Sequence, residues 1–115
     1  MKALHLLKTA HGATWALRQV EVLCAAGIEV VVAVPPAPDG LARRYAAAGA
    51  EVVELDLDFA PAEPLLLARA LGRCRALVAR VRPDVIHSHF VSTTVVARLA
   101  LGRRHPVPRL FQVPG

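Results

Sequence analysis

Residues 25–36 read AAGIEVVVAVPP and residues 47–54 read AAGAEVVE, so one phrase occurs twice in the first half of the chain. Each copy joins small residues, a glycine and a β-branched apolar run. Gly27 and Gly49 can take the left-handed conformation that stops a helix, and Ile28–Val34 and Ala50–Leu55 then have the composition of strands. Pro35 and Pro36 end the first of these runs. Neither run alternates strictly between apolar and polar residues, as expected for strands covered on both faces of a parallel sheet. The phrase does not continue further along the chain, so it marks two helix-to-strand steps and not a solenoid repeat.

The same grammar extends in both directions. Upstream, Lys2–Leu7 reads as a first strand, followed by a turn at Thr9, Ala10, His11 and Gly12. A helix is expected from about Ala13 to Ala26, with Ala13, Ala16, Leu17, Val20 and Cys24 on its apolar side and Arg18 and Glu21 opposite. A second, shorter helix closes through Tyr45 to Gly49. Downstream, Asp56–Pro64 reads as a loop and residues 63–81 as a long helix, with Leu66, Ala70, Cys74, Leu77 and Val81 along one stripe and Arg69, Arg73 and Arg80 opposite. Pro83 prevents its continuation, and Asp84–His89 reads as a fourth strand. Thr93–Leu101 follows as a helix with Ser92 or Thr93 as N-cap and Gly102 as its stop, and Leu110–Val113 as a fifth strand.

Strands alternating with amphipathic helices predict an α/β fold, a Rossmann-like doubly wound parallel sheet of strand order 3-2-1-4-5, spanning residues 1–115 as one domain. Leu17, Val20, Val31, Leu66, Leu77, Val85 and Val113 are its expected core positions.

Composition narrows the function classes. An apolar fraction of 55% and a mean hydropathy of +0.43 exclude intrinsic disorder, while charges or prolines interrupt every apolar stretch before it could cross a bilayer. The first residues lack the long apolar region and cleavage site of a secretory peptide. Cys24 and Cys74 have no neighbouring cysteine or histidine at metal-binding spacing, so both read as buried free thiols, compatible with a cytoplasmic protein. The formal charge of +5 favours anionic partners. With aromatics at 4% and no interleaving of aromatic and basic residues, a nucleic-acid surface is not expected. Solvated helix faces account for most of the arginines, and peripheral contact with an anionic membrane surface is the next reading.

Binding in an open parallel sheet occurs at the carboxyl ends of its strands, above all where the winding reverses. This selects His11 and Gly12, residues 35–40, residues 56–58, residues 87–90 and residues 113–115. Free N–H groups at the start of the first helix favour an anion or a sugar hydroxyl next to Gly12, although a tight turn is the plainer role of that glycine. Neither GxGxxG nor GxxxxGK[ST] occurs, and no acidic residue ends the second strand, so dinucleotide binding is not expected. Trp15 can form a wall for a sugar or apolar acceptor, or simply pack over the sheet. His87 and His89 project to one side of their strand; their spacing supplies no third ligand, so no metal is expected, and His89, nearer the carboxyl end, is the better candidate for substrate contact. No catalytic residue is assigned.

The Gly-containing turn, AAGIEVVVAVPP, the later AAAGAEVVEL at 46–55, and above all RPDVIHSHFVSTTVVARLA at 82–100 followed by PVPRLFQVPG at 106–115 resemble the N-terminal domain of family 4 glycosyltransferases, retaining enzymes of the GT-B fold. The resemblance covers essentially the whole chain, and PDVIHSH at 83–89 is its most specific part. It implies a two-lobed enzyme with the acceptor mainly on the N-terminal lobe and the nucleotide-sugar co-substrate mainly on the C-terminal lobe, with no obligatory metal and no further cofactor. A sugar or lipid-linked acceptor, a role in polysaccharide or cell-envelope biosynthesis, and a place in the cytoplasm at the inner face of the membrane follow as expectations.

Gly12 matches the second glycine of the family's first-loop pair, His11 stands at the first, and His87 and His89 match two histidines of which the second faces the cleft. Where many relatives have Thr-x-His-Gly, this chain has Gln112, Val113, Pro114 and Gly115, and Pro114 cannot supply an imidazole. The chain is thus expected to be the first lobe of a GT-B architecture, incomplete at its C-terminus and inactive alone. A Rossmann-like nucleotide-binding domain of another enzyme class and a non-catalytic interaction module are the alternatives.

Overall fold

The computed structural model describes residues 1–12, 14–57 and 63–112. In chain order these form β1 (Lys2–Leu6), α1 (Thr14–Ala25), β2 (Glu29–Val34), α2 (Ala42–Ala47), β3 (Glu51–Glu54), α3 (Pro64–Val81), β4 (Val85–His89), α4 (Val91–Leu101) and β5 (Arg109–Gln112). All four strand pairings are parallel and the order is β3-β2-β1-β4-β5, the doubly wound arrangement expected. The winding reverses between β1 and β4, so the crevice of this fold lies beyond the carboxyl ends of those two strands.

Burial of the central strands on both faces explains the continuous apolar runs. Along β2, Val31 and Ala33 join Leu4, Leu6 and Ile86 in one core cluster, roofed by Ala70, Cys74, Leu77, Val78 and Val81 of α3 and by Val96, Ala97 and Ala100 of α4. On the opposite face, Val30, Val32 and Val34 pack with Leu7, with Ala16, Leu17 and Val20 of α1, and with Tyr45 of α2. The proline and aspartate of RPDVIH have separate structural tasks. Arg82 ends α3 in the left-handed region at φ 53° and ψ 59°, and Pro83 then turns the chain. Asp84 accepts a 2.7 Å hydrogen bond from the Lys2 main-chain N–H and donates its own N–H to the Lys2 carbonyl at 2.8 Å. These two bonds hold the starts of β1 and β4 in register.

Four expectations need correction. Leu66 is 37% exposed, because burial along α3 begins only at Ala70 and the first turn stands clear of the sheet. Val85 is half-buried beside an open groove. Cys24 is also only partly buried, unlike the fully enclosed Cys74. Finally, α4 starts at Val91, ahead of the anticipated caps, with no side chain capping it. Thr93 lies inside the helix, fully buried, and its hydroxyl donates to the carbonyls of His89 and Phe90. Thr94 likewise donates to the Phe90 carbonyl at 2.9 Å. These hydroxyls bond back to the preceding turn instead of forward to free N–H groups. Val113, Pro114, Gly115, Ala13 and Asp58 lie outside the described residues.

The loops after β1 and β2 are locked together by a glycine whose role is steric. Leu41 donates its N–H to the Ala10 carbonyl at 2.8 Å, and a Cβ placed on Gly40 would lie 2.7 Å from the Ala10 Cβ and 2.9 Å from the Ala10 carbonyl oxygen. Two backbones approach where no side chain fits. Gly40→Ala is therefore expected to destabilise the chain by about 1–3 kcal/mol, the range for overpacking a closed contact, as read from urea denaturation. An unchanged midpoint would contradict the close approach of these loops.

Candidate functional site

The turn after β1 projects at the crevice between β1 and β4. Thr9 organises it, its hydroxyl accepting the His11 N–H at 3.1 Å and donating to the His11 carbonyl at 3.2 Å. His11 and Gly12 are both exposed, and the His11 Nε2 stands 3.8 Å from an Asp39 carboxylate oxygen on the neighbouring loop. Gly12 holds φ at +65° with open space where a Cβ would be. A side chain there would be strained by backbone conformation while meeting no neighbour.

Trp15, one residue into α1, is half-buried and packs against Phe90, their ring centroids 5.6 Å apart and the rings inclined at 56°. The indole Nε1 is buried without a hydrogen-bond partner among the described residues. This contact ties the first turn of α1 to the corner between β4 and α4. Phe90 falls within the strand-end positions 87–90 selected from the sequence, but its packing against Trp15 was not anticipated. At φ 79° and ψ 155° it adopts a conformation rare for a non-glycine residue, required because α4 begins directly after the buried end of β4. The signal available in sequence was the lack of any turn residue between HSH and the helix.

The structure thus brings His11, Gly12 and Trp15 to one end of the sheet and places His89 beneath. His89 has no exposed surface, and its Nε2 lies 3.0 Å from the Nδ1 of His5. A third ring completes the group, since His87 stacks on His89 with centroids 4.2 Å apart and lies 4.9 Å from His5. The third nitrogen that the spacing of His87 and His89 does not supply therefore comes from β1, where His5 is the register partner of His87. Burial disfavours protonation of all three. His5 is pushed down to about 4 by burial and then by repulsion from His87, and His89 to about 3 by burial and then by His87 and His5. Burial also lowers His87, against the opposing effect of a hydrogen bond with Gln112. Gln112 further accepts a 2.9 Å hydrogen bond from Gln19 of α1, linking β5 to that helix.

A groove of about 540 Å³ runs along this face of the sheet beside α1, lined among others by Ala3, His5, Val22, Val85, His87 and Leu110. On the other face, Ser88 and Thr94 join at 2.7 Å beneath a second cavity of about 460 Å³ bounded by residues 105–111. No described helix is long and apolar enough to cross a membrane.

Residues 12–115 match the family described as a glycosyl transferase 4-like domain. No curated protein matches the chain. Among solved structures it is similar to MurG of Acinetobacter baumannii, with a TM-score of 0.72 and 15% identity over 97% of this chain and 34% of that one. It is also similar to the glycotransferase of kitacinnamycin, with a TM-score of 0.68 and 21% identity over 98% of this chain and 30% of that one. The C-terminal domain of a hydrogenase from Pyrococcus furiosus shares the fold too, with a TM-score of 0.68 and 14% identity over 96% of this chain and 89% of that one. The chain therefore spans about a third of the length of the first two structures it matches.

Proposed function

This chain belongs to the glycosyl transferase 4-like domain family, and from that premise we propose that it forms the acceptor side of a cleft in which a sugar passes from a nucleotide-sugar donor to an acceptor hydroxyl, with retention of configuration. The observation that carries the reading is the exposed His11–Gly12 turn, braced by the loop after β2 and set beside the Trp15–Phe90 pair where the sheet's winding reverses. Main-chain N–H groups at such a turn can donate to sugar hydroxyls, and an aromatic edge can shield the apolar face of a sugar ring. His11 is the accessible imidazole of this end. His89, by contrast, is fully buried against the rings of His5 and His87, with its carbonyl accepting from the Thr93 hydroxyl.

Transfer requires stabilisation of positive charge at the sugar carbon and of the departing diphosphate, by preorganised dipoles and cations. The resemblance assigns the groups for the diphosphate to a donor-binding lobe, and the described strands form a single sheet. A lipid-linked acceptor, peripheral attachment to an anionic inner membrane face and service in polysaccharide or envelope synthesis belong to the same proposal, supported by the net charge of +5. The hydrogenase domain supports a second reading, a Rossmann-like domain serving other chemistry, because the fold alone does not distinguish them.

Backbone amide shifts of the 115-residue chain, titrated with a panel of sugar acceptors and nucleotide sugars, test this. Acceptors are expected to perturb residues around 9–15 and 90–92, with the response lost in Gly12→Val. Nucleotide sugars should bind no tighter than millimolar, and no sugar transfer should be detected. Micromolar donor affinity with turnover, or sugar responses confined to other surfaces, would overturn the assignment.

A further inference from the structure

The geometry points to a metal site at His5, His87 and His89, three imidazoles that would bind a late first-row divalent cation such as Zn²⁺ on the α1 face of the sheet. One ligand nitrogen from each ring lies within 4.8 Å of the others. The His5 Nδ1 and His89 Nε2 are already 3.0 Å apart. A tetrahedral ion with bonds of about 2.0–2.1 Å needs its ligand nitrogens about 3.3 Å from one another. Binding would require the closest pair to open slightly and the widest separation, up to 4.8 Å, to close through rotation of the rings about their side-chain bonds. The strands are fixed by their pairing, because His5 and His87 are opposite one another in the β1–β4 ladder.

Chemistry and access agree with this geometry. An all-imidazole set suits zinc, copper or nickel better than the oxygen-seeking magnesium or calcium. His89 has a buried Nδ1 without a hydrogen-bond partner among the described residues, so the cluster is not saturated by its internal hydrogen bond. His5 and His87 both line the groove beside α1, which leaves a route for the ion and a fourth position for water or an exogenous ligand. Three protein ligands with one open position describe a site able to hold a small anion on the metal. None of this depends on the transferase reading, whose proposed contacts are at the turn above.

Chelator-treated chain titrated with Zn²⁺ by calorimetry is expected to bind one ion per chain, with a rise in melting temperature. X-ray absorption should show three imidazole nitrogens at about 2.0–2.1 Å. His87→Ala, which removes the half-buried ring, should weaken binding by more than the roughly 10–100-fold that loss of an outer-shell partner costs, whereas His105→Ala on the loop before β5 should bind as the parent does. Circular dichroism of each variant separates loss of a ligand from loss of fold, and His5→Gln provides a second test if His87→Ala unfolds. Failure of the folded parent to bind Zn²⁺ at micromolar concentration would overturn the proposal. So would binding that survives both His87→Ala and His5→Gln, or coordination dominated by oxygen.

Discussion

Acidification from pH 7 to pH 5 in metal-free buffer is expected to remove about 4 kcal/mol of stability, about 2 kcal/mol for each of two buried histidines. Folded His5 and His89 titrate near 4 and near 3, well below the 6.5 of an unperturbed imidazole. Between those values the unfolded chain binds protons that the folded chain refuses, so stability rises with pH through this window. The contribution is present in full above about 6.5 and is lost as the pH falls toward 4 and then 3. His5 and His89 are 1% and 0% exposed, so solvent offers little screening. A loss of this size is a large share of the roughly 5–15 kcal/mol that holds a domain together. Urea titrations at pH 7, 6 and 5 measure the slope, and His5→Gln should reduce it by about half. A midpoint indifferent to pH over this range would show that the rings are not held neutral by burial.

Leu4→Ala and Ile86→Ala are each expected to cost about 3–5 kcal/mol, the upper part of the range for truncating a large aliphatic side chain in a closed core. The two side chains are register partners on β1 and β4, both without exposed surface, and both pack beneath α3 and α4. A cavity there lies between two paired strands and two helices, where collapse is hindered on several sides. Because the residues adjoin, the double variant should lose less than the sum of the single losses, as the two cavities merge. Leu66→Ala, at a 37% exposed position on the overhanging turn of α3, should cost under about 1 kcal/mol. Equal losses at Leu66 and Ile86 would show that the α3 face is assigned incorrectly.

These contrasts mark how far local sequence information reaches. The alternation of elements was legible because each carries its own signal, such as the valine run of β2 or the proline that closes α3. Right-handed crossovers applied to that alternation gave a doubly wound parallel sheet; strand order cannot be read directly from a sequence, and the arrangement 3-2-1-4-5 expected for such a sheet matches the structure. The stripe along α3 was also legible, but how far that helix projects beyond the sheet is a property of the whole layer, which is why Leu66 was misplaced. At α4, Ser92 or Thr93 suggested a cap by residue type. The actual bonds of Thr93 to the preceding carbonyls depend on how abruptly the chain leaves β4.

At the candidate site the division is the same. The sequence by itself determined that His11, Gly12 and Trp15 would gather at the end of β1, since they are neighbours along the chain and their place follows from where a strand stops and a helix starts. It also put His87 and His89 on one side of a strand, because side-chain direction repeats every two residues. Only the tertiary structure decided that His5, 84 positions before His89, meets them at hydrogen-bond distance, that the loop at Gly40 closes on Ala10, and that Phe90 turns back onto Trp15. Periodicity along one segment specifies a face, whereas these contacts require two segments to be brought together in a particular register. That register is set by packing on both sides of the sheet at once, through interactions no single segment contains.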